Sequence, residues 1–425
     1  MHRSITRLAA PLLPALAVSC GPAGRTNQGR GDDGTGGGVD TTTTGTTGAS
    51  TRPNTDGSDD HGEQPPDDIA ADLGGVPRPD PGPATRTVSE WEQMFRDTWD
   101  AERTEYMALC DSADSWDFYN ASYYVDGLAQ IAEATGTQEY VAAAIECVDA
   151  MIASARPSTE LGGEAFNDEY LGWTSFQNGS TGQEEQLYEA HMWRHVTELL
   201  RVIDGDPEFS AENADAYERI LVFTERNIFD KWYGRGGGPT AYVYAIVTHM
   251  ASHWAWICLD LSALSEDGSI VERCTEVVEH IDHTGVPGVP DNSGLRGQLI
   301  EDQYAQGSYF FDMWWGSTAP PGQDVSHGNA VVAYIVEAHE HGAYWTLDDI
   351  TRLVGTMKLI WPAGEDECAE FVDGSGSDAC WFSDGWDRLG RFDGEIQYRL
   401  ESHDVGRGGQ LYATGALNAA ELGLR

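Results

Sequence analysis

The run Gln323-Asp324-Val325-Ser326-His327-Gly328-Asn329 places an acid, a hydroxyl, an imidazole and two amides in seven consecutive positions. It heads an aliphatic stretch, so the spacing predicts a helix capped by Asp324 or Ser326, with His327 in its first turn. The positive end of a helix lowers an imidazole pKa, which favours the neutral ring that a general base needs. Just upstream stand Tyr304, Tyr309, Phe310, Phe311, Trp314 and Trp315. Paired tryptophans beside a polar cluster have the chemistry of a sugar platform, because the C–H faces of pyranose rings stack on aromatic faces. Trp314 and Trp315 are therefore candidate sugar contacts.

Two further stretches carry histidines at i, i+4, His191 with His195 and His249 with His253. That spacing puts both rings on one helix face and is able to chelate zinc. Neither pair is an H-E-x-x-H motif. Polar residues facing an interior account for them better, and neither a metal nor a cofactor is expected. On that reading His191, His249 and His327 come from three hairpins and meet at the centre. Glu301, Asp302 and Asp324 form a candidate glycosidase set, one acid and one base or nucleophile. Arg388, Arg391 and Arg407 are scarce bases in Gly-rich loops. They fit either a carboxylate clamp or internal ion pairs. Ser326 lacks a G-x-S-x-G elbow and is not expected to act as a nucleophile.

The elements that must position these groups read as helical hairpins. Trp91, Phe95 and Trp99 at i, i+4, i+8 mark a helix over 91–109. A pair over 119–134 and 138–155 follows, with Gly136 ending the first and Thr137 capping the second. Further helices are expected over 185–203, 211–232, 242–264, 270–283, 326–341, 347–361 and 411–422, with Thr346 as an N-cap. Repeated antiparallel pairs point to an all-α fold, an α/α toroid (an incomplete or full barrel of hairpins) with few short strands. Long connections at 156–184, 285–322 and 362–404 would decorate one rim and line a single cleft.

Residues 1–19 read as an export signal, with Arg3 and Arg7 ahead of a short apolar run. The small residues before Cys20 resemble a bacterial lipobox, which makes Cys20 a lipidation site. Residues 20–89 form a spacer: Gly, Pro and Thr supply 35 of 70 positions and no aromatic residue occurs. Such a stretch buries too little apolar surface to fold. The remaining domain, 90–425, holds six cysteines in an exported context, favouring disulfides. Local spacing pairs Cys258 with Cys274 across a helical hairpin and Cys368 with Cys380 around a loop, leaving Cys110 with Cys147. The whole chain has 70 acids against 25 Lys and Arg, a net charge of −45. That balance excludes a general nucleic-acid surface and a polybasic lipid patch. Membrane contact is expected only through the N-terminal lipid, at the outer membrane, the cell surface or facing the periplasm, on a monomer.

The chain resembles α/α-toroid carbohydrate-active proteins, especially polysaccharide lyases and uronyl epimerase-like proteins. The resemblance rests on Tyr188-Glu189-Ala190-His191, on Gln323 to Gly328, and on Val372-Asp373-Gly374-Ser375-Gly376 before Gly385-Trp386. It implies β-elimination on a uronate-containing polysaccharide or oligosaccharide, without a cofactor. It also implies roles: His327 or His249 as base, Tyr304 or Tyr309 as acid, and His191 and Arg388 as groups neutralising the carboxylate, with Asn178 or Asn329 as further neutralisers. Two other readings stand beside it, a glycoside hydrolase on the same toroid and a non-catalytic glycan-binding lipoprotein.

Overall fold

Local signals start and stop most helices where the sequence places them. The computed structural model describes residues 79–425, apart from 163–165, 237–240, 291, 365–366, 378–379 and 404–407. The signal, Cys20, most of the spacer and Arg407 lie outside the described residues. Helix α1 (Val88–Cys110) opens on a capping box between Thr87 and Glu90 and buries Trp91, Phe95 and Trp99. Helix α2 (Ser115–Thr135) is capped by Asp114 and ends on Gly136 at φ 69°, left-handed backbone that suits glycine. Helix α3 is Gln138–Ser154; its N-cap Thr137 makes no side-chain capping bond, because Thr135 donates to its hydroxyl instead.

Helix α4 (Gln186–Gly205) turns at Asp206, which caps α5 (Pro207–Phe223) with proline in its first turn. A π-helical turn, Thr224–Asp230, leads into the short α6 (Lys231–Gly234). Then come α7 (Thr248–Leu264), α8 (Gly268–Glu279) and α9 (Gly294–Gln298). Helix α10 (Val325–Glu340) is capped by Asp324, and α11 (Leu347–Ile360) by a Thr346–Asp349 capping box. A 3-10 turn (Trp386–Arg391), α12 (Gly394–Leu400) and α13 (Gly408–Glu421) complete the chain.

The fold is all-α. Among the described residues, the named strands are two-residue pairs: β1 (Arg156–Pro157) with β2 (Leu171–Gly172), and β3 (Ile300–Glu301) with β4 (Tyr309–Phe310), each antiparallel. No helix among the described residues is long and apolar enough to cross a membrane.

Two kinds of helix alternate. Helices α2, α4, α7 and α10 are buried nearly all round, while α1, α5, α8 and α11 bury a stripe. Helix α2 packs on α4, α4 on α7, and α7 on α10. Helix α10 meets the 386–391 turn, that turn meets α13, and α13 returns to α2. Side chains near the starts of α2, α4, α7 and α10 meet one another, Ser122 with His191, His191 with His253 and His249 with His327, so these N-termini share one end of the assembly, where the long connections arrive. Residues 79–87, assigned to the spacer by composition, belong to the folded unit. Ala84 is buried and Thr85 N–H donates to Glu401 at 2.7 Å.

Disulfides join Cys110 to Cys147 and Cys368 to Cys380. The expected Cys258–Cys274 bridge is absent, since both are buried thiols. They do face each other across α7 and α8, hydrogen-bonded side chain to side chain. Burial pushes the Cys258 thiol well up, which disfavours the thiolate that oxidation requires. Alkylation should therefore label both cysteines after denaturation and neither before it. Peptide mass spectrometry showing them joined would contradict the thiol state.

Candidate active site

The end of the assembly that carries the helix N-termini collects imidazoles from three helices. His327 sits in the first turn of α10 with its ring 4.6 Å, centroid to centroid, from His249 at the start of α7. His253, one turn on, lies 5.1 Å from His191 of α4, and His191 lies 6.0 Å from His195. The expectation that His191, His249 and His327 gather from different hairpins matches this string of rings. Tyr119 stacks on His191 at 3.9 Å, Tyr123 meets it edge-on at 5.3 Å, and Trp381 stands 5.8 Å from Tyr123. Trp116 and Tyr188 extend the aromatic wall, their rings 5.1 Å apart.

Asp324 defines the state of His327. Its Oδ1 accepts from the His327 backbone N–H at 3.0 Å and from Ser326 Oγ at 2.6 Å. Both carboxylate oxygens lie within 2.9 Å of His327 Nδ1. An ionised carboxylate only accepts, so Nδ1 carries the proton and Nε2 is left as a base. Burial acts to lower this imidazole's pKa, but the hydrogen bond and charge of Asp324 outweigh it and hold the pKa above its ordinary value. The sequence expectation of a lowered pKa thus fails, because a carboxylate in direct contact exceeds the helix-end field. The His327 side chain remains 46% accessible, so a ligand can reach the ring. The other rings go the opposite way. Burial, helped by the neighbouring His327, pushes His249 down to about 3. Burial pushes His191 down to about 4 and His253 well down. The Nδ1 atoms of His249 and His253 are buried without a hydrogen-bond partner.

Beneath the rings lies an ionic column. Asp384 takes Arg194 at 2.5 Å and stands 3.4 Å from His191 Nε2. His195, 3.4 Å from Asp126 and 3.2 Å from Glu198, is raised to about 10 because the Asp126 charge overcomes the cost of burial. Arg388 closes the column at 2.7 Å from Asp126 and 2.9 Å from Glu198.

Several expectations from the sequence are corrected here. Arg388 is wholly engaged by Asp126, Glu198 and, at 3.6 Å, Glu337, so it does not clamp a substrate. Arg391 pairs with Glu340 at 2.9 Å. His191 is neutral, with Ser122 on one nitrogen at 2.9 Å and Asp384 on the other, so it does not neutralise a carboxylate by charge. Tyr309 donates to Asp349 at 2.7 Å inside the α11 cap, which removes it as the acid. Tyr304, 39% accessible, packs on Phe310 of the β4 strand, and none of its ring contacts is to a histidine.

Asn329 is buried; its amide donates to the Ser326 and Trp381 carbonyls, and its Oδ1 accepts Trp386 N–H. It anchors the 381–386 segment rather than a ligand. Asn178 is exposed at a turn of the 156–184 connection. Trp315 is buried, donating to Ala245 O at 2.9 Å, whereas Trp314 is 47% accessible beside Val247, two residues before His249. Glu301 and Asp302 share Arg352 at 3.0 and 3.2 Å and do not pair with Asp324.

Sequence reasoning missed Tyr119, Tyr123, Trp381, Asp126, Arg194 and Asp384. One signal was available: Asp126 is the one acid between Asp117 and Glu133 on a helix buried nearly all round, and Arg194 with Glu198 carries charge at i, i+4 in the buried middle of α4. No protein-family model, curated protein or solved structure matches the chain.

Proposed function

We propose that the histidine-bearing end of the assembly, its mouth, performs acid–base chemistry on a uronate-containing glycan, cleaving it by β-elimination. The observation that carries the reading is the Asp324–His327 pair, which pins Nδ1 of a half-exposed ring and leaves Nε2 as the base, beside neutral imidazoles and an aromatic wall. In the proposed reaction His327 Nε2 takes the C5 proton, electrons form the C4=C5 bond, and the C4–O bond breaks. A mouth tyrosine, Tyr119, Tyr123 or Tyr188, protonates the leaving oxygen. Exposed Trp314 offers a stacking face for a neighbouring sugar.

The cyclic order of α2, α4, α7, α10 and α13 supports an α/α toroid with this mouth at its rim. The lipobox-like Cys20 supports a mature chain exported and held at a membrane by lipid, with the long spacer giving the domain reach. A lyase generates ultraviolet absorbance from the unsaturated uronate, a hydrolase generates reducing ends without it, and a binding protein retains glycan and does neither. A panel of uronate and neutral glycans assayed for all three separates the readings.

The base must be neutral, so turnover should rise with pH through an apparent pKa above the ordinary value for histidine of about 6.5. Asp324→Asn should move that midpoint down. An unchanged midpoint would exclude His327 as the titrating base. Stability has its own pH window. The contribution from the raised His327 pKa is present below about 6.5 and lost as pH rises through the raised value. That from Asp324, whose pKa His327 holds far down, is present above about 3.9 and lost as pH falls through the depressed value.

A further inference from the structure

Two groups of carboxylates and imidazoles, one wholly buried and one reaching the surface at His341, lie beneath the mouth, and they differ in what fills them. Asp126, His195 and Glu198 bring donor atoms within 4.8 Å of one another. Arg388 already supplies the cation there, at 2.7 and 2.9 Å, and Gln130 donates to Asp126 at 2.6 Å. Asp260, Glu337 and His341 form the second group, again within 4.8 Å. Here the fit is incomplete. Asp260 is fully buried, yet neither of its carboxylate oxygens has a well-formed hydrogen bond. The Thr197 hydroxyl lies beside it and donates to the Arg194 carbonyl at 2.9 Å, leaving at most a weak contact to Asp260. The nearest cation, Arg201 Nε, stands 3.6 Å away, and that guanidinium also meets His341 Nδ1. A buried carboxyl left this way either keeps its proton, which burial and the nearby Glu337 favour here, or takes up a cation in its place.

The surroundings favour a cation. Asp260 lies near the end of α7, Glu337 in the last turn of α10 and His341 at its C-cap, where helix ends carry partial negative charge. Glu337 and His341 stand at i, i+4, one above the other on one helix face. Glu337, His341 and Arg201 also line a cavity of ≈ 550 Å³ at the end of the helices opposite the mouth. The His341 side chain is 27% accessible, so an ion reaches the group without unfolding.

We propose that Asp260, Glu337 and His341 bind a divalent first-row transition ion, Zn²⁺ by preference, with water completing its shell. Two carboxylates and an imidazole suit such an ion, whereas Ca²⁺ and Mg²⁺ favour all-oxygen shells. The ion displaces Arg201 into the cavity and ties α7 to α10. It also fixes Glu337, whose second oxygen stands 3.6 Å from Arg388 Nη1. The site clips helices behind the mouth and takes no part in the proposed elimination.

Isothermal titration of the chelator-stripped chain with Zn²⁺ tests this. Saturable uptake of one ion is expected, with a melting temperature that rises with Zn²⁺ and not with Ca²⁺. His341→Ala, at a partly exposed position that should still fold, should weaken uptake by roughly tenfold or more and abolish the melting shift. Asp260→Asn should do the same. Non-saturable uptake by the wild-type chain would mark adventitious binding to surface acids and overturn the proposal. So would saturable uptake left intact in both variants.

Discussion

Replacing Arg388 with alanine should cost about 3–5 kcal/mol of folding stability, the penalty for stripping the cation from a buried ion cluster. Arg388 is almost wholly buried among Asp126, Glu198 and Glu337. Its removal leaves carboxylates from three different helices, all nearly buried, facing one another without their cation. They would have to take up protons. Glu198 already leans that way, since burial raises it to about 7 even with Arg388 present. Asp126 does not: burial opposes its ionisation, but His195 and Arg388 keep it far below the usual carboxylate range. The loss should therefore be smaller in acid than at neutral pH, a signature that a simple cavity would not give. Denaturant unfolding of the wild-type chain and of Arg388→Ala at two pH values measures it. A loss under about 1 kcal/mol at neutral pH, the range of an exposed pair, would show that the column is not the buried network described.

The second large effect is expected at the mouth. His327→Ala should lower turnover by on the order of 10²–10⁴-fold, the usual range for removing a general base. Its fold should hold, because the ring is half-exposed and the α10 cap is made by Asp324 rather than by the imidazole. Asp324→Asn tests how the ring is held. It retains an acceptor oxygen for the cap but loses the charge that raises the His327 pKa. Turnover should fall less than in His327→Ala, and the pH midpoint should fall with it. Matched melting temperatures for wild type and His327→Ala would assign the loss to chemistry rather than folding.

The helices were legible because their causes are local. Caps at Thr346 and Asp206, the left-handed Gly136 and the Trp91-Phe95-Trp99 stripe act within a few residues. Segment 362–404 read as a loop because Trp, Gly and Arg carry no helical period there. Its 3-10 turn is held from outside, by Asn329 on Trp386 N–H and by Asn418 on the Asp387 carbonyl. The ionic column was illegible for the same reason, since Arg388 reaches Asp126 across 262 positions of sequence.

The gathering of His191, His249 and His327 was legible from helix spacing, but their protonation states were not. Those depend on contacts such as Asp324 to His327 Nδ1 and on burial that one chain position does not reveal. The dense aromatic run misled in part. Phe310, Phe311 and Trp315 are core, and Tyr309 serves the α11 cap, leaving Trp314 and Tyr304 at the surface.

The central claim is that His327 removes a proton from a uronate at this mouth. Its most direct test is the ultraviolet progress curve of the wild-type chain and of His327→Ala, run side by side on uronate glycans without added metal. The account predicts absorbance growing with the wild-type chain and lost by on the order of 10²–10⁴-fold in the variant. Equal rates from both proteins, or reducing ends released by the wild-type chain with no absorbance, would contradict it.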